Sequence, residues 1–382
     1  MAAPELNKIK MKKKLVLATW MGKQGNYGTC LQSFALHKKL ENMGYDVKII
    51  SVYPHRNKYV AIIKNILSLI GVLYIINIIR KHPKTIKESK LLEFQKSNYN
   101  QVEILTKQQM HRLVLLTDCF VAGSDQIWNT YFKFSPQYFL EFAENAKRIA
   151  YASSIGTNSV KEEYRESVRQ NLMKFSHIGV REFEAVKVLS ELTGRKDIRQ
   201  VLDPTFLLTP HDWTSMAKDA VYEEELPNDY IFCYLLGNNQ CYKEQLYDVK
   251  CKTGISNILI VPSAENKFFS FDGAVIYKNA SPVEFIDLLQ RASYVCTDSF
   301  HATALSINNS IPFVEFIRFK DSEVVSQNSR IYDLLNHYEL KGRIYSSKTD
   351  VWTKKINYKK VQEKLDKDRQ DSLNYLVNAI EK

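Results

Sequence analysis

The sequence predicts a mixed α/β fold in which two domains are each built on a parallel β-sheet. Three observations predict it. The chain has 382 residues, more than one typical domain, so two domains are the natural expectation. Short apolar runs alternate with segments of helical periodicity, which is typical of β-α-β units and hence of parallel strands. The alternation occurs before and again after residues 201–208, which resemble a domain junction.

The first half begins with a β-α-β unit. A buried strand at residues 14–19 is followed by a glycine turn at 25–28, a helix that Gly44 ends, and a strand at 46–52. Three further strands are predicted at residues 114–121, 149–153 and 177–181. Residues 11–200 are therefore assigned to an N-terminal Rossmann-like domain.

The second half repeats the pattern. Its predicted strands lie at residues 230–237, 258–261, 274–277, 292–296 and 311–316, and its predicted helices at 282–291 and 299–307. Residues 201–355 are assigned to a C-terminal Rossmann-like domain. Residues 356–382 include a charged amphipathic helix, which is expected to pack back on the first domain. Because open parallel sheets bind ligands at the carboxyl ends of their strands, the active site is expected in the cleft between the domains.

An apolar segment at residues 59–80 lies within an insertion at 53–100. Its core, residues 66–79, has 14 mostly apolar residues, fewer than the roughly 20 that a transmembrane helix needs. Basic residues flank it, which fits a helix lying in an anionic membrane interface. A buried helix or a contact between two copies of the chain explains the pattern equally well, so a homo-oligomer stays open.

The composition narrows the range of partners. The formal net charge of +11 suits nucleic acid, an anionic membrane surface or small anionic substrates. The sequence has no arginine-rich tract, helix-turn-helix pattern or zinc-finger spacing, so nucleic acid is not expected as a partner. None of the six cysteines forms a C-x-x-C pair, which indicates reduced thiols in a cytoplasmic protein and no metal site.

Two polar segments follow predicted strands and supply candidate contacts to a sugar. Amides of the glycine turn, at the start of a helix, bind anions or sugar hydroxyls, although a tight turn alone also requires glycine. The second segment follows the strand at 114–121 and carries a carboxylate, two amides and an indole, which suit sugar hydroxyls and a sugar ring. Its alternative interpretation is a helix cap and a core tryptophan. The candidate acceptor contacts are Gly25, Asn26, Tyr27, Asp125, Gln126, Trp128 and Asn129.

A third segment, at residues 297–302, suits an anionic ligand. Asp298 or Ser299 can cap the helix that begins there, and a phosphate or carboxylate would sit at the helix N-terminus. His301, in the first turn, is placed to exchange a proton with that ligand.

Basic residues at two other strand ends suit the same anion. Arg181 ends the strand at 177–181, and its guanidinium suits bidentate binding, with a salt bridge to a neighbouring glutamate as the alternative. Arg318 and Lys320 follow the strand at 311–316 and would either close the anion pocket or lie in a solvated loop.

Six motifs occur in order: Gly-Asn-Tyr-Gly at residues 25–28, Gly-Ser-Asp-Gln-Ile-Trp-Asn at 123–129, Tyr-Ala-Ser-Ser-Ile-Gly at 151–156, Val-Arg-Glu at 180–182, Leu-Asp-Pro-Thr at 202–205 and Thr-Asp-Ser-Phe-His at 297–301. Together they resemble the polysaccharide pyruvyl transferase family over approximately residues 14–320. The second and last motifs are the specific ones. The sequence departs from similar sequences at Ala302, where glycine is frequent, and residues 53–100 have no family counterpart.

The resemblance implies a fold like that of the B-type glycosyltransferases. It implies transfer of pyruvate from phosphoenolpyruvate to a sugar as a cyclic ketal, without a metal or other cofactor. The family's catalytic histidine falls on His301 and its substrate-binding arginine on Arg181, and these two are the candidate catalytic residues. The candidate donor contacts are Asp298, Ser299, Arg318 and Lys320. The domain at residues 201–355 is accordingly expected to bind the donor, and the domain at residues 11–200 the acceptor.

The predicted role is in capsule or exopolysaccharide biosynthesis, in the cytoplasm or at the inner face of the plasma membrane. The acceptor sugar is expected to be lipid-linked or nucleotide-linked. Two other functions remain open. One is a nucleotide-sugar glycosyltransferase of the same fold, and the other is a non-catalytic sugar- or lipid-binding partner in a polysaccharide assembly complex.

Overall fold

The computed structural model describes residues 12–22, 25–50, 85–104, 106–132, 134–143, 145–222, 225–267, 269–321, 323 and 326–382. The apolar segment at residues 59–80 lies outside these ranges, so its membrane and buried interpretations both stay predictions. Within the described ranges, no helix is long and apolar enough to cross a membrane.

In its described part, the first half of the chain forms a seven-stranded sheet whose neighbouring strands are all parallel. The strands are β1 (Lys14–Ala18), β2 (Asp46–Ile50), β3 (Gln101–Val102), β4 (Cys119–Ala122), β5 (Arg148–Ser153), β6 (His177–Val180) and β7 (Arg199–Gln200). Their order is β3-β2-β1-β4-β5-β6-β7. The chain therefore winds outward from β1 in one direction and from β4 in the other, as in doubly wound sheets.

The α-helices described between these strands are α1 (Tyr27–Asn42), α2 (Ile86–Asn98), α3 (Lys107–Leu115), α4 (Arg165–Leu172) and α5 (Phe183–Thr193). The glycine turn before α1 also supplies its cap, because the side chain of Asn26 accepts a hydrogen bond from the amide of Thr29 at 3.1 Å. Gly44 follows the helix with a φ of +93°, which glycine adopts without strain.

The strand predicted at residues 114–121 is wrong in its first half. Helix α3 continues to Leu115, and β4 begins only at Cys119. A capping box starts this helix, because Thr106 and Gln109 each accept a hydrogen bond from the other's backbone amide. The apolar residues at the end of α3 and those of β4 read as one run, which concealed the boundary.

The second half forms a smaller parallel sheet, in the order β10-β9-β8-β11-β12 over the described residues. Its strands are β8 (Ile231–Tyr234), β9 (Ile258–Ile260), β10 (Val275–Ile276), β11 (Tyr294–Thr297) and β12 (Phe313–Glu315). The helices are α6 (Pro210–Ala217), α7 (Tyr242–Thr253), α8 (Pro282–Gln290), α9 (Phe300–Asn308) and α10 (Asn328–His337). The winding direction again reverses, here between β8 and β11, and both sheets are doubly wound.

The last helix, α11 (Tyr358–Glu381), returns to the first half of the chain. Its Tyr375 hydroxyl donates to the carbonyl of Ala150 on β5 at 3.0 Å. Its Ser372 hydroxyl accepts from the amide of Leu202 at 3.0 Å. The helix therefore lies against the first sheet and close to the junction between the halves.

The two halves share one continuous cluster of buried apolar side chains. Tyr27, at the start of α1, stacks on Phe285 of α8 with ring centroids 4.5 Å apart, and its hydroxyl donates to the carbonyl of Ala280 at 2.7 Å. Full burial of an aromatic side chain of this size stabilises by about 1.5–3 kcal/mol. This contact holds the first turn of α1 against the second half of the chain.

Candidate functional site

A cavity of about 720 Å³ lies between the two sheets. Loops that follow β1 and β4 line one side of it, and loops that follow β8, β11 and β12 line the other. The carboxyl ends of both sheets therefore face one space, which is where open α/β sheets bind ligands. A second cavity of about 800 Å³ lies beyond Phe300 and Arg330, which line both, and is bounded by β6, β7, α10 and α11.

His301 lines the first cavity from the first turn of α9, directly after β11. The side chain of Ser299 caps this helix by accepting from the amide of Ala302 at 3.5 Å. Gly28 of α1 packs against the imidazole: a Cβ atom on residue 28 would lie 2.8 Å from Cγ of His301. Only glycine therefore fits at residue 28 while the ring keeps this position.

Asp203 lies behind His301. It is a buried carboxylate, and no role was predicted for it from the sequence. Its Oδ2 lies 3.6 Å from Nε2 of His301 and 3.0 Å from Nη1 of Arg181. Burial alone raises the pKa of Asp203, but His301, Arg181 and the amide of Thr205 outweigh burial and hold that pKa below its ordinary value. An ionised carboxylate beside an imidazole orients the ring and stabilises its protonated form. The only sequence signal for Asp203 was its place in the Leu-Asp-Pro-Thr motif.

Arg181 is buried among carboxylates. Its guanidinium lies 2.8 Å from Glu182, 3.0 Å from Asp203 and 3.9 Å from Asp125, and it packs over the Phe300 ring at 4.3 Å. It borders the second cavity and does not line the first. The structure therefore places Arg181 in the salt-bridge arrangement that the sequence left as an alternative, and its charge is already balanced.

Two other arginines line the first cavity, and no carboxylate in the described part of the chain lies close enough to balance their charges. Arg318 and Arg330 both donate to Oε1 of Gln327, at 3.2 and 2.6 Å, and Gln126 donates to the same oxygen at 2.9 Å. Neither arginine has a carboxylate within 4.0 Å among the described residues. Burial, with the nearby charges of Arg181 and Arg318, lowers the pKa of Arg330 to about 9. An uncompensated buried cation favours an anionic ligand at this point.

The sequence left Arg318 and Lys320 as alternative contacts to the anion. Arg318 lines the cavity, whereas Lys320 is exposed, lies outside the cavity lining, and uses its backbone amide to bond the Glu323 carboxylate at 2.9 Å. Arg330 was not predicted, because it comes from α10, a helix with no motif to mark it. The N-terminus of α9, at Ser299, completes the basic side of the cavity.

Asp298 lines the cavity, but its carboxylate already accepts hydrogen bonds from a neighbouring loop. Its carboxylate accepts from the amides of Leu236 and Gly237, at 2.6 and 2.7 Å, and from the Tyr242 hydroxyl at 2.7 Å. Burial raises its pKa, although these hydrogen bonds and the charge of Arg318 oppose that rise. Asp298 thereby fixes the loop after β8 at the edge of the cavity.

The opposite side of the cavity carries acceptor groups. Asn26, Asp125 and Gln126 line it, as does Thr29, whose hydroxyl donates to Oδ2 of Asp125 at 2.8 Å. Asp125 has a φ of +72°, a left-handed conformation that is rare outside glycine, and its Oδ1 accepts from the amide of Gln126 at 2.9 Å. This strained turn presents polar side chains to the cavity.

The other predicted acceptor contacts do not line the cavity. Trp128 is only 1% exposed, stacks on Phe139 with ring centroids 5.1 Å apart, and donates its indole N–H to the carbonyl of Tyr138 at 3.1 Å. It is the core tryptophan of the alternative interpretation. Tyr27 and Gly25 are buried, and the Asn129 amide donates to Gln126 at 2.7 Å.

Aromatic residues that the sequence analysis did not select line the cavity instead. Trp20 is half-buried after β1, Phe132 is 50% exposed, and Tyr138 contacts Trp20 edge to face with centroids 6.3 Å apart. Aromatic faces of this kind pack well against the apolar side of a sugar ring. Among the described residues, no group of three or more His, Cys, Asp or Glu side chains is arranged to hold a metal ion, and the absence of a cofactor stays a prediction.

Comparison with known proteins bears on this geometry. The sequence model of the polysaccharide pyruvyl transferase family matches residues 26–318, which include most of the cavity-lining residues. No curated protein gives a significant match.

Among solved structures, the UDP-GlcNAc 2-epimerase of Methanocaldococcus jannaschii is similar with a TM-score of 0.47 and 12% identity, over 85% of this chain and 92% of that chain. The UDP-GlcNAc 2-epimerase of Neisseria meningitidis is similar with a TM-score of 0.47 and 10% identity, over 97% and 94%. MurG of Acinetobacter baumannii is similar with a TM-score of 0.46 and 12% identity, over 97% and 99%. The family match covers well over half of the chain, which therefore belongs to the polysaccharide pyruvyl transferase family.

Proposed function

We propose that the protein transfers pyruvate from phosphoenolpyruvate to two hydroxyl groups of a sugar, as a cyclic ketal, during biosynthesis of a bacterial surface polysaccharide. One observation carries the proposal. His301 shares a cavity with Arg318 and Arg330, two arginines that have no carboxylate partner among the described residues. A cavity with a proton-exchanging group and unbalanced positive charge suits a small, highly anionic donor.

The donor is assigned to the second half of the chain. Phosphoenolpyruvate carries a phosphate and a carboxylate, and each can accept hydrogen bonds from a guanidinium. Arg318, Arg330 and the N-terminus of α9 at Ser299 supply such donors within the lining of one cavity. The carboxylate of Asp298 is held by three donors of its own, which limits its repulsion of the anion.

The acceptor is assigned to the first half. Asn26, Asp125 and Gln126 offer oxygens and an amide to sugar hydroxyls, and Trp20 and Phe132 offer aromatic faces to the ring. These groups belong to the first half of the chain, and Gln126 meets the arginines at the shared Gln327 oxygen, so the hydroxyls would approach the donor from the loops of the first sheet.

The chemistry follows from the donor's enol ester. Protonation of the methylene carbon makes the central carbon electrophilic, and a sugar hydroxyl attacks it. Phosphate then leaves, and a second hydroxyl attacks the same carbon to close the ketal. His301, held by Asp203, takes the proton of an attacking hydroxyl and relays it. The positive groups around the phosphate stabilise its departure.

The proposal is tested by incubating the purified protein with phosphoenolpyruvate and a panel of lipid-linked and nucleotide-linked sugars. Mass spectrometry should detect the ketal, and inorganic phosphate should appear in equal amount. His301→Ala should lower turnover about 100-fold or more, whereas His111→Ala, an exposed histidine of α3, should not. Sugar transfer from a nucleotide sugar, without ketal, would replace the proposal with the glycosyltransferase function. Sugar binding without turnover of any donor would replace it with the non-catalytic one.

Association with an anionic membrane is part of the same proposal. The apolar segment at residues 59–80, with its basic flanks, and the net charge of +11 support it. Such an association would bring the site to a lipid-linked acceptor at the inner face of the plasma membrane.

A further inference from the structure

The proposed reaction requires a proton donor for the methylene carbon, and the cavity contains a carboxyl group without an assigned role. Glu315 is the last residue of β12 and lines the same cavity as His301 and the two arginines. Its side chain is only 1% exposed. Among the described residues, no lysine, arginine or histidine nitrogen lies within 4.0 Å of its carboxyl group. Such a buried carboxyl, without an ion pair, favours its neutral form.

A hydroxyl group holds the Glu315 carboxyl in place. The hydroxyl of Thr303 on α9 lies within bonding distance of the Glu315 carboxyl and of the carbonyl of Ser299, the latter at 3.0 Å. Thr303 is the donor to the carboxyl, which positions Glu315 but opposes the rise of its pKa.

The charged groups that face Glu315 come from three neighbouring elements. Asp298, after β11, opposes its ionisation, whereas Arg318 and Arg330 favour ionisation. Tyr242 of α7 also lies within electrostatic range. Burial is the largest influence, and the net effect raises the pKa of Glu315 well above its ordinary value, against the arginines and the Thr303 hydrogen bond.

The other described carboxyl groups that line this cavity are less suited to give up a proton. Asp298 accepts three hydrogen bonds, which oppose the rise in its pKa that burial causes, and Asp125 accepts hydrogen bonds from the Thr29 hydroxyl and the Gln126 amide. Glu265 accepts from the side chain of Asn26 in an exposed contact at 3.3 Å. His301, which lies beside Asp203, is already assigned to the attacking hydroxyl of the acceptor.

We propose that Glu315 is the catalytic acid that protonates the methylene carbon of the bound enolpyruvyl donor. The inference rests on the proposed function and assigns a second proton-transfer group to it. The two groups then divide the work: Glu315 gives a proton to carbon on the donor side, and His301 takes one from oxygen on the acceptor side. Catalysts often separate acid and base roles between groups with different surroundings.

The reaction forms one C–H bond and two C–O bonds. The π electrons of the double bond form the new C–H bond, and the O–H bond of Glu315 breaks. The first sugar hydroxyl bonds to the central carbon and loses its proton to His301. The C–O bond to phosphate breaks, phosphate keeps the electron pair, and the second hydroxyl attacks and gives its proton to phosphate. The proton held by His301 returns through solvent to Glu315, which restores both groups.

The test compares Glu315→Gln with the wild type and with Glu191→Gln, a control that removes an exposed carboxyl of α5. Glutamine keeps the shape and the hydrogen bond to Thr303 but has no acidic proton. Turnover of Glu315→Gln should fall about 100-fold or more, while phosphoenolpyruvate affinity by calorimetry and the unfolding temperature stay near the wild type. Wild-type turnover should fall on the alkaline side, where Glu315 ionises, and this alkaline limb should be absent from the residual activity of Glu315→Gln. Product made by the wild type in heavy water should carry one solvent deuterium in its methyl group.

Several outcomes would overturn the inference. Wild-type turnover, or an unchanged alkaline limb, in Glu315→Gln would show that another group supplies the proton. If Glu315→Gln does not fold, Glu315→Asp replaces it: the carboxyl is retracted by one methylene, so turnover should fall about tenfold to 100-fold with the alkaline limb retained. Wild-type turnover in Glu315→Asp would equally overturn the assignment. If the wild type forms no ketal with any acceptor, the proposed function itself fails, which is a separate result.

Discussion

Replacing Arg330 with methionine separates the effect of this residue on donor binding from its effect on folding. Burial and the neighbouring Arg181 and Arg318 lower the pKa of Arg330 from 12.5 to about 9. The folded protein therefore disfavours the charged form, and that cost is fully present below about pH 9 and declines as the pH rises toward 12.5. Methionine has similar length and no charge. At pH 7 the free protein should consequently become more stable, by about 1–4 kcal/mol, the range seen when buried charges are replaced by apolar residues.

The same substitution should weaken donor binding. A hydrogen bond to a charged group contributes about 1.5–3 kcal/mol, so the Kd for phosphoenolpyruvate should rise about 10- to 150-fold. Calorimetry measures the affinity and thermal unfolding measures the stability. Arg169→Met serves as the control, because Arg169 is an exposed residue of α4 that pairs with Glu166. Wild-type affinity in Arg330→Met would refute the reasoning, and so would a fall in stability with the affinity retained.

Three further predictions follow from the cavity and the sequence. Gly28→Ala should displace the His301 ring and lower turnover about 100-fold with little change in the unfolding temperature; unchanged turnover would show that the ring position is not needed. Trp20→Ala should weaken binding of the acceptor sugar and leave phosphoenolpyruvate affinity unchanged. Trp128→Ala should lower the free energy of unfolding, measured in urea, by about 3–5 kcal/mol. If Trp128→Ala instead weakens sugar binding and Trp20→Ala lowers the stability, Trp128 belongs to the sugar site. Replacing Ile70, Leu73 and Ile76 with Asp should release the protein from anionic vesicles and leave turnover of a water-soluble acceptor intact; a misfolded product would show that the segment is part of the core.

Much of the fold could be predicted from the sequence, because its strands are short apolar runs with glycine or polar residues at their ends. Helix α11 was predicted within residues 356–382 and occupies Tyr358–Glu381, since a long charged amphipathic pattern leaves little ambiguity. The strand predicted at residues 114–121 was wrong in its first half for a local reason. Apolar residues that end a helix and those that begin a strand look alike when only two polar residues, Thr117 and Asp118, separate them.

The site was predictable where it depends on the position of a strand end. His301, Ser299 and Arg318 follow strands of the second sheet, and Asp125 and Gln126 follow β4, so the topology alone places them at the cavity. The direction in which a side chain points was not predictable. Trp128 and Tyr27 lie within the cavity-forming segments, yet both rings point into the core.

Residues whose place in the site depends on tertiary packing left little signal in the sequence. Arg330 reaches the cavity from α10 and Trp20 from the loop after β1, and neither belongs to a motif. Glu315 occupies an otherwise apolar strand, β12. A charged residue in a strand of this kind is unusual and is the one signal that a search for buried acids would have found.

We expect the distribution of charge around the cavity to determine on which side the donor and the acceptor bind. Asp125 and Glu182 of the first half and Asp203 of the junction surround the guanidinium of Arg181, so three carboxylates face one cation there. An anionic donor is repelled there, whereas neutral hydroxyls can donate to the carboxylates that face the cavity. In the second half, Arg318 and Arg330 remain without carboxylate partners among the described residues, and binding of an anion offsets the cost of burying Arg330. His301 lies between these two regions, beside Asp203, at the point where a hydroxyl from one side would meet a donor held on the other.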